Sequence, residues 1–202
     1  MARDNIYTAI AGGIFKGKKL LLPPQETTRS TKAILKSSFF NTVQFDIQNT
    51  CFAEAFAGSG SMGLEALSRG AKKVYFVEKD KAAFDILKKN CDELDAKKCV
   101  CFFGDTFQKL PQIAANLDEA AFFYFDPPFD IREGMGGIYE KTMELFASLP
   151  KSKVKLAAFE HISVFLMPER IGDFWLAKSR IFGNSAISFY IKKDDFISQE
   201  KV

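Results

Sequence analysis

The feature that most limits how this chain can fold is a glycine loop held between an apolar run and a helix-forming run. Residues 51–70 read Cys-Phe-Ala-Glu-Ala-Phe-Ala-Gly-Ser-Gly-Ser-Met-Gly-Leu-Glu-Ala-Leu-Ser-Arg-Gly, and Gly58, Gly60 and Gly63 fit the spacing G-x-G-x-x-G. Glycine at such positions permits a positive φ and lets the backbone come close to a ligand. The unpaired N–H groups at the start of the following helix then face that ligand. Gly70 is placed to end the helix. The loop alone does not name its ligand, so the flanking residues must.

The rest of the chain alternates in the same way. A strand over 51–57 leads to a helix over 61–69. A short apolar run at 74–77 closes on Glu78. An amphipathic helix at 81–94 follows, with Ala83, Leu87, Cys91 and Leu94 on one face. A strand at 99–103 ends beside Gly104 and Asp105, and a weaker helix at 107–117 is interrupted by Pro111. The apolar run 121–125 ends in Asp126-Pro127-Pro128-Phe129, and a glycine-rich stretch at 134–137 precedes a helix at 138–149. A strand at 155–159 ends in Glu160-His161. Two last strands, around 174–182 and 186–192, are joined by Gly183-Asn184, a hairpin turn pair, so the sheet finishes antiparallel. Fully apolar strands separated by helices imply a parallel sheet covered on both faces. Ligands in such sheets bind beyond the carboxyl ends of the strands. That rule gathers residues 54–60, Glu78, Asp105, residues 126–129 and Glu160 on one rim.

The first 49 residues read differently. Residues 6–22 form a hairpin, with turn chemistry at Gly12-Gly13 and Lys16-Gly17-Lys18, and Pro23-Pro24 stops it. A polar loop carrying Arg29 leads to a helix at 31–43 with Ile34, Leu35 and Phe39 apolar. This predicts a small hairpin–helix appendage, 1–49, ahead of a main domain, 50–202. The formal net charge of +3 comes from this end, where the first 50 residues hold seven basic side chains against three acidic. Such an excess suits an anionic macromolecule, although a solvated surface would show it too. No apolar run is long enough to span a bilayer, and no apolar signal segment follows Met1. Cys51, Cys91, Cys99 and Cys101 form no C-x-x-C pair, and His161 is the sole histidine. Free thiols in a reducing cytosol are therefore expected, with no metal site.

Two neighbours of the loop bear on its ligand. Glu54 lies just before it, where its charge would repel a pyrophosphate. S-adenosylmethionine has no phosphate, and its ammonium and sulfonium suit an acidic neighbour while loop N–H groups suit its carboxylate. Glu78 can take two ribose hydroxyls of either cofactor. Asp105 can accept from an adenine amine, with Phe103 or Phe107 packing on the ring. Taken singly, Glu78 and Asp105 read equally as surface carboxylates at strand ends. Asp126-Pro127-Pro128-Phe129 favours the methyl donor. Two prolines fix φ and remove two N–H donors, which leaves carbonyls and the Asp126 carboxylate as a rigid set of acceptors. An exocyclic base amine, a poor nucleophile, needs such acceptors to aim its lone pair, and Phe129 offers a face for the base to stack on.

On these residues the chain resembles the class I methyltransferases, and more narrowly the bacterial RsmD family of 16S ribosomal RNA guanine-N2 methyltransferases. The likeness runs from about residue 10 to about residue 192. It includes Ile10-Ala11-Gly12-Gly13 with Lys16-Gly17-Lys18-Lys19-Leu20, and Phe56-Ala57-Gly58-Ser59-Gly60 continued by residues 63–71. Phe76-Val77-Glu78 and Asp126-Pro127-Pro128-Phe129 complete it. The resemblance implies an α/β Rossmann-like fold, a seven-stranded, mostly parallel sheet with an antiparallel final strand. It also implies methyl transfer from S-adenosylmethionine to the N2 amine of a guanine in 16S rRNA, in the small subunit or its assembly intermediate, by a cytoplasmic monomer. Glu54, Phe56, Gly58, Ser59, Gly60, Gly63, Glu78 and Asp105 would bind the cofactor. Asp126, Pro127, Pro128 and Phe129 would hold the target base, and Lys16, Lys18, Lys19 and Arg29 would grip RNA phosphates.

The chain departs from the family pattern at three places. Arg29-Ser30-Thr31 stands for Arg-Pro-Thr, Lys36-Ser37 for Arg-Glu, and Glu54 for the commoner Asp. Rival readings are an N6-adenine or protein-amide methyltransferase, and an RNA-binding assembly factor that has lost catalysis. A nicotinamide dehydrogenase fits worst, since it has no use for the Asp126 motif.

Overall fold

The computed structural model describes residues 6–24, 30–128 and 137–195. In chain order the strands are β1 (Tyr7–Ala9), β2 (Lys19–Leu21), β3 (Cys51–Glu54), β4 (Lys73–Glu78), β5 (Cys99–Phe103), β6 (Ala121–Phe125), β7 (Val154–Ile162), β8 (Arg170–Ile171), β9 (Phe174–Phe182) and β10 (Ser185–Lys192). The α-helices are α1 (Ser30–Thr42), α2 (Ser61–Ser68), α3 (Lys81–Leu94), α4 (Thr106–Ala115) and α5 (Ile138–Ser148). β1 and β2 form a separate antiparallel hairpin, and the other eight strands form one sheet in the order β5-β4-β3-β6-β7-β10-β9-β8.

β5, β4, β3, β6 and β7 are parallel, while β10 runs antiparallel to both β7 and β9. This is the expected α/β layout, with a correction from seven strands to eight. The extra one, β8, is a two-residue edge that pairs Arg170 and Ile171 with Trp175 and Phe174. A two-residue strand carries no periodicity that sequence patterning can detect.

The pleat sends alternate side chains to opposite faces. Phe52, Phe122 and Tyr124 point toward one core, shared with α1, α2 and α3. Ala53, Phe123 and Phe125 point toward the other, closed by α4 and α5. The 22 phenylalanines explain how so short a chain fills both layers. Phe125 stacks on Phe159 at 4.6 Å, and Phe146 packs on Phe174 at 4.6 Å.

Described residues of the hairpin and of α1 are part of this core. On α1, Phe39 lies 5.3 Å from Tyr124 and 6.0 Å from Phe189, and Leu35, Phe40 and Val43 are buried in the same cluster as Ile10 and Leu20 of the hairpin. They share one hydrophobic cluster with the sheet. The hairpin is also bound through Asn90 of α3. Its Oδ1 accepts the Leu21 N–H at 2.9 Å, and its Nδ2 donates to the carbonyls of Leu21 and Ser59.

Candidate active site

β3 ends at Glu54, three residues earlier than the apolar run suggests, but the chain stays wedged in the sheet. The Ala55 N–H donates to Tyr124 O on β6, and the Ala57 N–H donates to Val77 O on β4, each at 2.9 Å. The loop then opens into α2 through Gly60, whose φ of 79° belongs to the left-handed region. Gly63 answers a different need. A Cβ there would lie 2.4 Å from Phe76 Cε1 and 2.6 Å from Val74 Cγ1, so only glycine lets α2 press onto β4.

Glu54 also bonds the helix that follows the loop. It is buried, and its Oε2 accepts the Gly63 N–H at 2.8 Å while Oε1 takes the Met62 N–H at 3.4 Å. The carboxylate thus caps the start of α2, where unpaired N–H groups and the helix dipole favour negative charge. Ser59 is also fully buried beneath the loop.

Glu78, at the end of β4, binds both sides of the rim. Its Oε2 accepts the Gly58 N–H at 2.7 Å and its Oε1 the Asp80 N–H at 2.7 Å. Each carboxylate oxygen keeps a second lone pair for a hydroxyl. Asp105 is exposed and caps α4 by accepting the Phe107 N–H at 2.9 Å. The half-exposed Phe103 ring flanks it on β5, against Phe84 at 5.3 Å. Phe56 and Phe107 are half-buried and meet edge to face at 6.1 Å. Thr106, absent from the sequence expectations, is buried and donates its hydroxyl to Ala55 O, binding α4 to the loop.

β6 delivers Asp126 beside this loop, because Glu54 and Tyr124 are register partners. Asp126 Oδ2 lies 3.1 Å from Lys32 Nζ, which reaches over from the first turn of α1. Pro127 is buried and Pro128 half-buried. Beneath them the Tyr124 hydroxyl donates to Glu160 Oε2 at 3.0 Å, both residues being buried. Burial first, then the nearby Glu160 and Asp126 carboxylates, push the Tyr124 hydroxyl well above its ordinary range, so it remains a donor. Arg29 and Phe129 lie outside the described residues, as do Gly134, Met135 and Gly136.

Lys16, Lys18 and Lys19 are exposed, but the hairpin turn rests on the far end of α2. There the Ile14 N–H donates to Ser68 O at 2.8 Å and the Phe15 N–H to Ser68 Oγ at 2.9 Å. The length of α2, about 12 Å, separates this turn from the glycine loop. Glu65 holds the two together. It is fully buried and accepts the Ala11 and Gly12 N–H groups at 2.7 and 2.9 Å. Arg69 Nε pairs with it at 2.8 Å and Lys36 Nζ approaches to 3.8 Å. The only signal of this hub in the sequence is a glutamate on the buried face of a helix.

His161 has a structural role. One ring nitrogen bonds Ser188 Oγ and the other Ile162 O, each at 2.9 Å, and burial lowers its pKa. The four cysteines are free. Burial, reinforced by Glu119, pushes the Cys51 thiol up to about 11.

The donors and acceptors of this rim suit S-adenosylmethionine. Glu78 and Asp105 present carboxylate acceptors along it and Phe103 a half-exposed ring face, while Gly60 packs against the core, where a Cβ would collide with Leu87 at 2.5 Å. Residues 8–191 match the family described as Conserved hypothetical protein 95. The chain is 38% identical over 127 residues to ribosomal RNA small subunit methyltransferase D of Haemophilus influenzae, an alignment spanning 59% of this chain and 63% of that protein. It is 27% identical over 186 residues to the putative rRNA methyltransferase YlbH of Bacillus subtilis, covering 91% and 98% of the two chains. The structure of a putative methyltransferase from Escherichia coli superposes with a TM-score of 0.75 at 26% identity, covering 92% of this chain and 98% of the other. The glycine loop, the Asp126 rim and these matches agree: the chain has the class I methyltransferase fold and belongs to the Conserved hypothetical protein 95 family, the RsmD type that its sequence resembles.

Proposed function

We propose that this chain methylates the N2 amine of a guanine in 16S rRNA of the small ribosomal subunit or its assembly intermediate, with Asp126 and the Pro127 carbonyl holding the target amine. The observation that carries this reading is the adjacency of β3 and β6. Their parallel register sets the acceptor corner of Asp126-Pro127-Pro128 directly beside the glycine loop. Neither proline has an N–H, so this corner presents acceptors to an amine.

S-adenosylmethionine supplies the electrophilic methyl carbon. Gly58 and Gly60 form the cradle for its methionine end, Glu78 takes the ribose hydroxyls and Asp105 the adenine amine. Glu54 acts one step back, by fixing the start of α2. Asp126 and Pro127 accept the two N–H groups of the guanine amine and turn its lone pair toward the methyl carbon. As the N–C bond formed, the methyl carbon's bond to sulfur would break with its electron pair staying on sulfur, releasing S-adenosylhomocysteine, and the surplus amine proton would pass to Asp126 or to water. Phe129 stacks on the extruded base, and Lys16, Lys18, Lys19 and Arg29 meet phosphates away from the target nucleotide.

The test is methylation of small subunits that lack the mark, followed by nucleoside analysis. N2-methylguanosine is expected, and it should vanish in Asp126→Ala while titration still detects cofactor binding. N6-methyladenosine, or full activity in Asp126→Ala, would overturn the reading. Failure to bind S-adenosylmethionine would point to the inactive assembly factor.

A further inference from the structure

The Lys32–Asp126 contact places an N–H donor on the acceptor that the target amine requires. Lys32 Nζ sits 3.1 Å from Asp126 Oδ2, with the lysine side chain 46% and the aspartate side chain 24% exposed. The two residues are 94 positions apart, joined because α1 crosses the sheet with its first turn at the rim. While the ammonium holds that oxygen, it competes with an incoming amine for one of the carboxylate's acceptor positions. The pair is weaker than a buried one, because the lysine end stays about half-exposed to water. The lysine head is a point charge on a flexible four-carbon stem, so it can leave without disturbing α1.

We infer that Lys32 is a substrate-binding residue that exchanges Asp126 for the phosphate of the target nucleotide as the base enters. The inference rests on the proposed role of Asp126. A base swung out of its stack brings its own phosphate to the mouth of the site. That phosphate is the nearest full negative charge to replace the carboxylate. In the free protein Lys32 fills the amine position; in the complex it anchors the nucleotide whose amine displaced it. The site thereby opens to a base that carries a phosphate and stays closed to a free amine.

The test uses the full chain with unmarked small subunits. Lys32→Ala should raise KM for the subunit by about three- to tenfold and leave kcat within about twofold. It should also flatten the plot of log KM against log salt by about one, the signature of one lost phosphate contact. Lys32→Arg should keep the wild-type slope, and the S-adenosylmethionine Kd should not move in either variant. An unchanged KM and salt slope in Lys32→Ala would overturn the exchange, as would a fall in kcat at constant KM or a flattened slope in Lys32→Arg. Full turnover by Asp126→Ala would instead remove the reading of the site on which the exchange depends.

Discussion

Oε2 of Glu65 accepts the N–H of Ala11 at 2.7 Å across 54 residues of sequence. The carboxylate is fully buried, and its other oxygen serves Gly12 and Arg69. Removing it leaves two backbone donors and the half-buried Arg69 guanidinium without this acceptor. Glu65→Ala should therefore cost about 3–5 kcal/mol of stability, read as a lower urea midpoint. Glu65→Gln should fall between the two, since an amide oxygen can still accept one of the N–H bonds.

Gly63→Ala tests the contact between α2 and β4. A methyl at 2.4 Å from Phe76 must push the helix outward, at a cost of about 1–3 kcal/mol. Because the Glu54 cap and the glycine loop move with that helix, titration should find weaker S-adenosylmethionine binding in Gly63→Ala than in Met62→Leu, a neighbouring swap of similar volume.

Glu78→Ala removes the acceptor of both the Gly58 and Asp80 N–H groups. Charge-assisted bonds are worth about 1.5–3 kcal/mol each, so the S-adenosylmethionine Kd should rise at least about tenfold. Subunit affinity should hold, because this carboxylate faces the cofactor side of the rim. An equal loss in both affinities would show a collapsed rim instead.

His161 gives a pH signature. Burial holds its folded pKa below the free value near 6.5. Below that value the unfolded chain binds a proton that the folded chain refuses, so stability falls as pH falls. From about pH 7.5 to about pH 5.5, wild-type Tm should drop more steeply than that of His161→Gln.

Local patterning located the glycine loop, the Asp126 corner, and the bounds of α3, β5 and β6, because each is set by neighbours within a few residues. What it missed depends on distant partners. Ser37, Ser38 and Asn41 dilute the apolar stripe of α1, so the sequence does not show that Phe39 and Phe40 pack among Phe52, Tyr124 and Phe189. Glu54 was correctly placed beside the loop, but its direction depends on where α2 starts. Lys32 carries no local sign of its contact with Asp126, which exists only once the helix lies across the sheet.

Asn90 has a mechanical consequence. One amide group bonds the edge of the hairpin at Leu21 and the floor of the glycine loop at Ser59. A displacement of the hairpin at Leu21 therefore reaches the glycine loop through one side chain, in addition to the bonds of Glu65 and Ser68 to α2. The amino-terminal strands and the floor of the glycine loop are thus coupled as neighbours of one amide.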